Sequence, residues 1–143
     1  MLSTAQSAAL GHVEATARDS EPTALLSIAG IFERAGCGLE SYSEAIELIR
    51  QHARIVRHFH PDRFGVKAIC VAESLVTEGV YRNQFETGLS SGSPTAFRGG
   101  DRDMWERTLF GGAYHTEGVL PSERPKYGSL ELVRFPDGLA PRG

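Results

Sequence analysis

Residues 80–115 read VYRNQFETGLSSGSPTAFRGGDRDMWERTLFGGAYH, and the way this stretch folds decides the architecture. Six of the twelve aromatic residues lie here, Tyr81, Phe85, Phe97, Trp105, Phe110 and Tyr114, with four of the fifteen lysines and arginines. Glycine pairs at 99–100 and 111–112 interrupt it, so short elements joined by loops are expected, and such loops tend to carry sites. Residues 80–87 alternate and predict a strand, Tyr81 and Phe85 on one side, Arg82, Gln84 and Glu86 on the other. A loop follows over 88–100. Asp101 is placed to cap a short helix over 102–110, with Trp105 and Leu109 inward and Gly111 and Gly112 as its stop.

Upstream, the pattern is helical. An Ala-rich stretch over 3–18 predicts one helix, and Pro22 suits the first turn of a second, marked by Leu25, Ile28, Phe32 and Ala35. Gly36 and Gly38 end that one. Ser41 and Glu44 have capping-box spacing, and Ala45, Ile49, His52, Val56 and Phe59 extend a third helix to Pro61. A fourth is expected over 66–78, with Ile69, Val71, Ala72 and Leu75 inward and Gly79 as its stop. Downstream, residues 129–135 predict a strand and Pro136-Asp137-Gly138 a turn. The expected fold class is α+β, with about four N-terminal helices packed on a small, mainly antiparallel sheet with Gly-rich loops. The reading is one domain over 1–143, helical over 1–79 and strand-and-loop over 80–143.

The 143 residues carry a net charge of −3, which argues against a nucleic-acid partner bound through a broad basic face. No apolar run nears the roughly 20 residues a membrane span needs, and the N-terminus has no secretory pattern. Cys37 and Cys70 stand far apart, which suits two reduced thiols in the cytoplasm.

The candidate chemistry is sparse. An arginine such as Arg82, beside Tyr81 and ahead of a Gly-Leu-Ser loop, can hold both oxygens of a phosphate or carboxylate. Gln84, Thr87 and Ser90 would add neutral donors, and Gly88 and Gly92 would let a ligand approach the backbone. The competing reading is an Arg82–Glu86 pair on a solvated face. His115, after a double glycine, is a candidate acid–base group, with a surface histidine as its alternative. Asp101, Arg102, Asp103, Glu106 and Arg107 read as the solvated face of a helix, since sequence cannot show the burial an acid–base carboxylate would need. His52, His58, His60 and Asp62 offer metal-ligand types, and a metal-dependent hydrolase is a further alternative, but their spacing does not converge on one helical face. Helix-cap chemistry accounts for the cluster at 58–63, so no metal residue is assigned.

His60-Pro61-Asp62, after a helix carrying Arg50, Arg54 and Arg57, resembles the Hsp70-contacting loop of J-domain co-chaperones. This implies a non-catalytic interaction module. Taken together, TAQSAALGHV (4–13), HFHPDR (58–63), GVYRNQFETGLSSG (79–92), FRGGDRDMWERTLFGGAYH (97–115) and RPKYGSLEL (124–132) resemble the microbial family known as domain of unknown function 3626. Its members usually run on with further strands, which implies that this chain is a truncated member. Tyr81-Arg82 with the Gly88-Leu89-Ser90 loop is also similar to the first block of arginine-class ADP-ribosyltransferases. That likeness implies Arg82 against the phosphates of NAD, with Tyr81, Gln84, Gly88 and Ser90 around it. It assigns no catalytic glutamate within this chain.

Overall fold

Ser3 opens the first helix. Its hydroxyl accepts from the Gln6 N–H (3.2 Å) while the Gln6 amide oxygen accepts from the Ser3 N–H (2.9 Å), a reciprocal cap that satisfies two free donors. In the computed structural model, which describes residues 1–57, 59–64, 69–88 and 96–133, this helix, α1, runs unbroken over Thr4–Arg34. The two expected helices are therefore one. Pro22 lies inside it and forfeits one backbone bond, and the alanines and leucines on either side carry the helix through. The chain divides into two compact units, one of Met1–Val13 with His58–Tyr127, the other of Glu14–Arg57 with Gly128–Arg142.

In the second unit, helix α2 spans Ser41–His52, and Tyr42 meets Phe32 of α1 edge to face at 6.3 Å. The Ser41–Glu44 cap does not form: the N-cap residue is Glu40, with no side-chain bond. The helix also ends eight residues earlier than the stripe to Pro61 suggests. Ala53 turns extended, and Arg54–Val56 becomes strand β1. It pairs antiparallel with β2, Ser129–Glu131, in the register Arg54↔Glu131, Ile55↔Leu130 and Val56↔Ser129. Ile55 and Val56 are β-branched, and a distant partner strand outweighs the helical spacing of Val56. The expected strand to 135 is thus seen over Ser129–Glu131, and the turn at Pro136 lies outside the described residues.

In the first unit, Ala5 and Ala9 of α1 pack on Tyr114, with Phe110, Ala113 and Val119 around them. Helix α3 covers Val71–Glu78 and stops at Gly79, whose φ is +66°. Cys70 caps it, its sulfur accepting from the Glu73 N–H, so Ile69 and Cys70 precede the helix expected to include them; the expected start at 66 lies outside the described residues. Residues 80–87 do not form the predicted strand. They form a short helix, α4, over Gln84–Thr87. Asn83 Oδ1 accepts from the Phe85 and Glu86 N–H groups (2.9 and 3.1 Å), and Glu86 Oε2 accepts from the Asn83 N–H (2.8 Å). This capping box defeats the aromatic alternation.

Helix α5, Asp101–Leu109, is turned the opposite way from expectation. Trp105 and Leu109 face outward, 62% and 54% exposed, while Asp103 and Glu106 are buried. Nor does Asp101 cap it; Gly100 is the N-cap residue, without a side-chain bond. Instead Asp103 Oδ2 accepts from the Gly99 N–H at 2.8 Å. Gly111 follows at φ +59°, and a β-carbon there would lie 2.5 Å from the His12 ring. Gly111→Ala should therefore cost at least about 1–2 kcal/mol from the left-handed backbone alone, read as a lower midpoint in urea. The architecture is α+β: helices with one small antiparallel sheet among the described residues.

Candidate functional site

The inward face of α5 explains why its carboxylates tolerate burial. A 3-10 turn at Pro121–Glu123, closed by the Leu120 N–H donating to Glu123 Oε2 (2.7 Å), delivers Arg124 against them. Arg124 Nη1 lies 2.6 Å from Asp103 Oδ1 and 3.0 Å from Glu106 Oε2. All three side chains are nearly inaccessible, at 4%, 6% and 2% exposure. Arg124 Nη2 donates to the Tyr114 carbonyl (3.4 Å), and its guanidinium lies 4.0 Å from the Phe85 ring centre. Tyr127 donates to Glu106 Oε1 (2.8 Å), with Arg102 over the Tyr127 ring. Breaking such a pair leaves an uncompensated buried charge.

His115 completes the cluster. Its Nε2 sits 3.0 Å from Asp103 Oδ1, the oxygen that Arg124 also holds, and its side chain is 20% exposed. The contact is a close approach without a directed hydrogen bond, a geometry that acid–base residues commonly show before a ligand is present.

The two carboxylates differ. Burial opposes ionisation of Asp103, yet the Gly99 N–H and Arg124, with His115, hold its pKa below the ordinary value. Burial dominates at Glu106 and raises its pKa against the opposing pull of Tyr127 and Arg124. Burial, with Glu106 beside it, also raises the Tyr127 phenol. Neighbouring titratable groups pushed in opposite directions are what acid–base chemistry uses.

The residues expected to bind a ligand have these places. Tyr81 is half-buried, its ring 5.8 Å from that of Phe59. Arg82 is engaged by Glu78 at 2.6 Å (Nη2) and 2.8 Å (Nε), and by Glu86 at 3.5 Å. These contacts, Glu78 first, raise the Arg82 pKa. The side chain is 37% exposed. Arg82→Ala should leave the denaturation midpoint close to wild type, because exposed ion pairs add little. Gln84 opens α4, and its Oε1 is buried with no hydrogen bond among the described residues. Gly88 ends α4 at φ +67°. Ser90 and Gly92 lie outside the described residues.

Asn83 ties this segment to the ion cluster. Its Nδ2 donates to the carbonyls of Pro121 (2.6 Å) and Arg124 (3.3 Å). Sequence reasoning therefore missed Asn83, Arg124 and Tyr127, and it read Asp103 and Glu106 as solvated where they are buried. Only Asn83 left a local signal, the Asn-x-x-Glu spacing.

The other motifs are dispersed. His60-Pro61-Asp62 comes shortly after β1 rather than directly after a basic helix, and the Pro61 carbonyl accepts from the Ala72 N–H (3.0 Å). His52 and His60 fall in different units, and His58 lies outside the described residues. No group of three metal-ligating side chains comes together among the described residues. The second unit has a half-open pocket of about 440 Å³ lined by Leu48, Ile49, His52, Ala53, Glu131 and Leu132.

An α+β protein with a buried arginine–carboxylate cluster is thus defined. The chain belongs to the family described as Protein of unknown function (DUF3626), which matches residues 54–143 and so includes every member of the cluster. No curated protein and no solved structure matches it. No helix among the described residues is long and apolar enough to cross a membrane.

Proposed function

We propose that the chain is an enzyme domain for a phosphate-bearing small molecule, with His115 as its acid–base group and Arg82 as its anion anchor. One observation carries this reading: Asn83 links the Arg82 segment to Arg124, which holds Asp103 beside His115. A base steadied by an ionised carboxylate is the common logic of acid–base and nucleophile-activating sites. An incoming phosphate would have to displace Glu78 from Arg82, and the guanidinium can accommodate either. NAD is the first ligand to test, given the likeness of Tyr81-Arg82 to the ADP-ribosyltransferase block. The free thiols of Cys37 and Cys70 suit the reducing cytoplasm as its location.

Calorimetric titration with NAD, ADP and inorganic phosphate tests the proposal on wild type, Arg82→Ala and His115→Gln. Binding that Arg82→Ala abolishes and His115→Gln retains is expected. Heats that are absent in all three, or equal in wild type and Arg82→Ala, contradict it.

A second reading, a protein-interaction module, is favoured by one feature: α5 exposes Met104, Trp105 and Leu109. Large apolar side chains in a contiguous outward stripe mark contact surfaces. Pull-down with Hsp70, using Asp62→Asn and Trp105→Ser, separates the cases. Loss with Asp62→Asn supports the co-chaperone form. Loss with Trp105→Ser alone places the contact on α5, and no capture removes Hsp70 as the partner.

A further inference from the structure

We infer that Glu106 is a proton switch for the Asp103–His115 pair, acting through the single Arg124 nitrogen that both carboxylates share. The inference needs only the geometry of the cluster and holds whether or not His115 is catalytic. Asp103 Oδ1 and Glu106 Oε2 approach the same Nη1, at 2.6 and 3.0 Å. One guanidinium therefore faces two buried carboxylates. Asp103 faces Arg124, His115 and the Gly99 N–H. Glu106 faces Arg124, Tyr127 and Arg102, with Tyr114 close by. Both members of such a pair cannot be charged without cost in a site this dry.

The coupling has a definite sign. With Glu106 ionised, Arg124 divides its charge between two anions, and Asp103 retains more negative charge to offer His115. With Glu106 protonated, Arg124 is committed to Asp103, which weakens the hold of Asp103 on the imidazole. A proton taken up from solvent by Glu106 thus turns down the Asp103–His115 contact without touching either residue. Arg124 Nη1 donates to Oε2 and cannot accept, whereas the Tyr127 hydroxyl beside Oε1 can turn to accept, so the proton belongs on Oε1.

Carbon-13 carboxyl titration of the full chain tests this. In Asp103→Asn, Arg124 belongs to Glu106 alone, and the Glu106 midpoint should fall by about one pH unit. An unchanged midpoint overturns the inference. A second readout uses wild type only, in case that variant does not fold: the nitrogen signals of the His115 ring should shift at the Glu106 midpoint. Ring signals that ignore the Glu106 transition overturn it equally. Neither readout requires a ligand, so a negative result in the nucleotide titrations leaves this test standing.

Discussion

Arg124→Met is expected to destabilise the first unit by about 3–5 kcal/mol, the usual cost of removing one partner from a buried ion pair. Asp103 and Glu106 would lose their shared cation while remaining almost fully buried. The loss extends beyond charge. The Arg124 guanidinium also covers Phe85 and donates to the Tyr114 carbonyl, so α4 and the turn at Ala113–His115 lose their tie. A domain of this size holds only about 5–15 kcal/mol in total, so Arg124→Met should shift the urea midpoint sharply or remove the cooperative transition. The companion test replaces all three ions with apolar residues of similar volume, Asp103→Leu, Glu106→Met and Arg124→Met. It should recover much of the loss, because charge burial is then removed along with charge pairing. Failure of the triple variant to exceed Arg124→Met would show that packing, rather than uncompensated charge, sets the cost.

The second large effect is a contrast of sign within one cluster. Asp103→Asn should cost about 2–3 kcal/mol at pH 7, since charged hydrogen bonds and ion pairs to Gly99 and Arg124 are weakened together. Glu106→Gln should cost far less or stabilise, because the amide oxygen still accepts from Arg124, the amide NH2 can donate to the Tyr127 oxygen, and a charge that burial disfavours is shed. The pH dependence follows from the same directions. Asp103 has a lowered folded value, so its stabilisation is present above the ordinary aspartate range, near 3.9, and lost as pH falls through the folded value. Glu106 has a raised folded value, so the folded state binds the extra proton. Stability falls as pH rises from the ordinary glutamate value, about 4.3, through the folded one. Wild type should lose this increment on going from acid to neutral pH and Glu106→Gln should not. Denaturation curves at pH 4.5 and 7 measure the difference; parallel pH dependence in the two proteins would contradict the assignment.

Much of the helical framework was legible because its signals are local. The stop of α3 at Gly79 and the end of α5 before Gly111-Gly112 both follow from backbone chemistry within a few residues. Three features were hidden for one physical reason: their deciding partner is distant in sequence. Val56 fits the helical stripe of α2 until Ser129–Glu131 supplies a strand to pair with. Trp105 and Leu109 have the spacing of a buried face, and only Arg124 makes the opposite, acidic face the inward one. His115 could be singled out as a titratable group, but not its approach to Asp103. Residues 80–87 are different, because the Asn83–Glu86 box was readable and the alternation of Tyr81 and Phe85 obscured it. The stretch at 80–115 does organise the first unit. It does so through Asn83, Phe85, Asp103 and Glu106, the side chains that gather around Arg124.

The most direct measurement is the nitrogen-15 spectrum of the arginine side chains in the intact chain. A guanidinium held between two buried carboxylates and under an aromatic ring cannot rotate freely or exchange readily with water. Arg124 should give separately resolved Nη1 and Nη2 signals with protected protons, unlike Arg18, whose side chain is 78% exposed. An Arg124 signal averaged and exchanging as fast as that of Arg18 would contradict the buried cluster on which the fold and the site both depend.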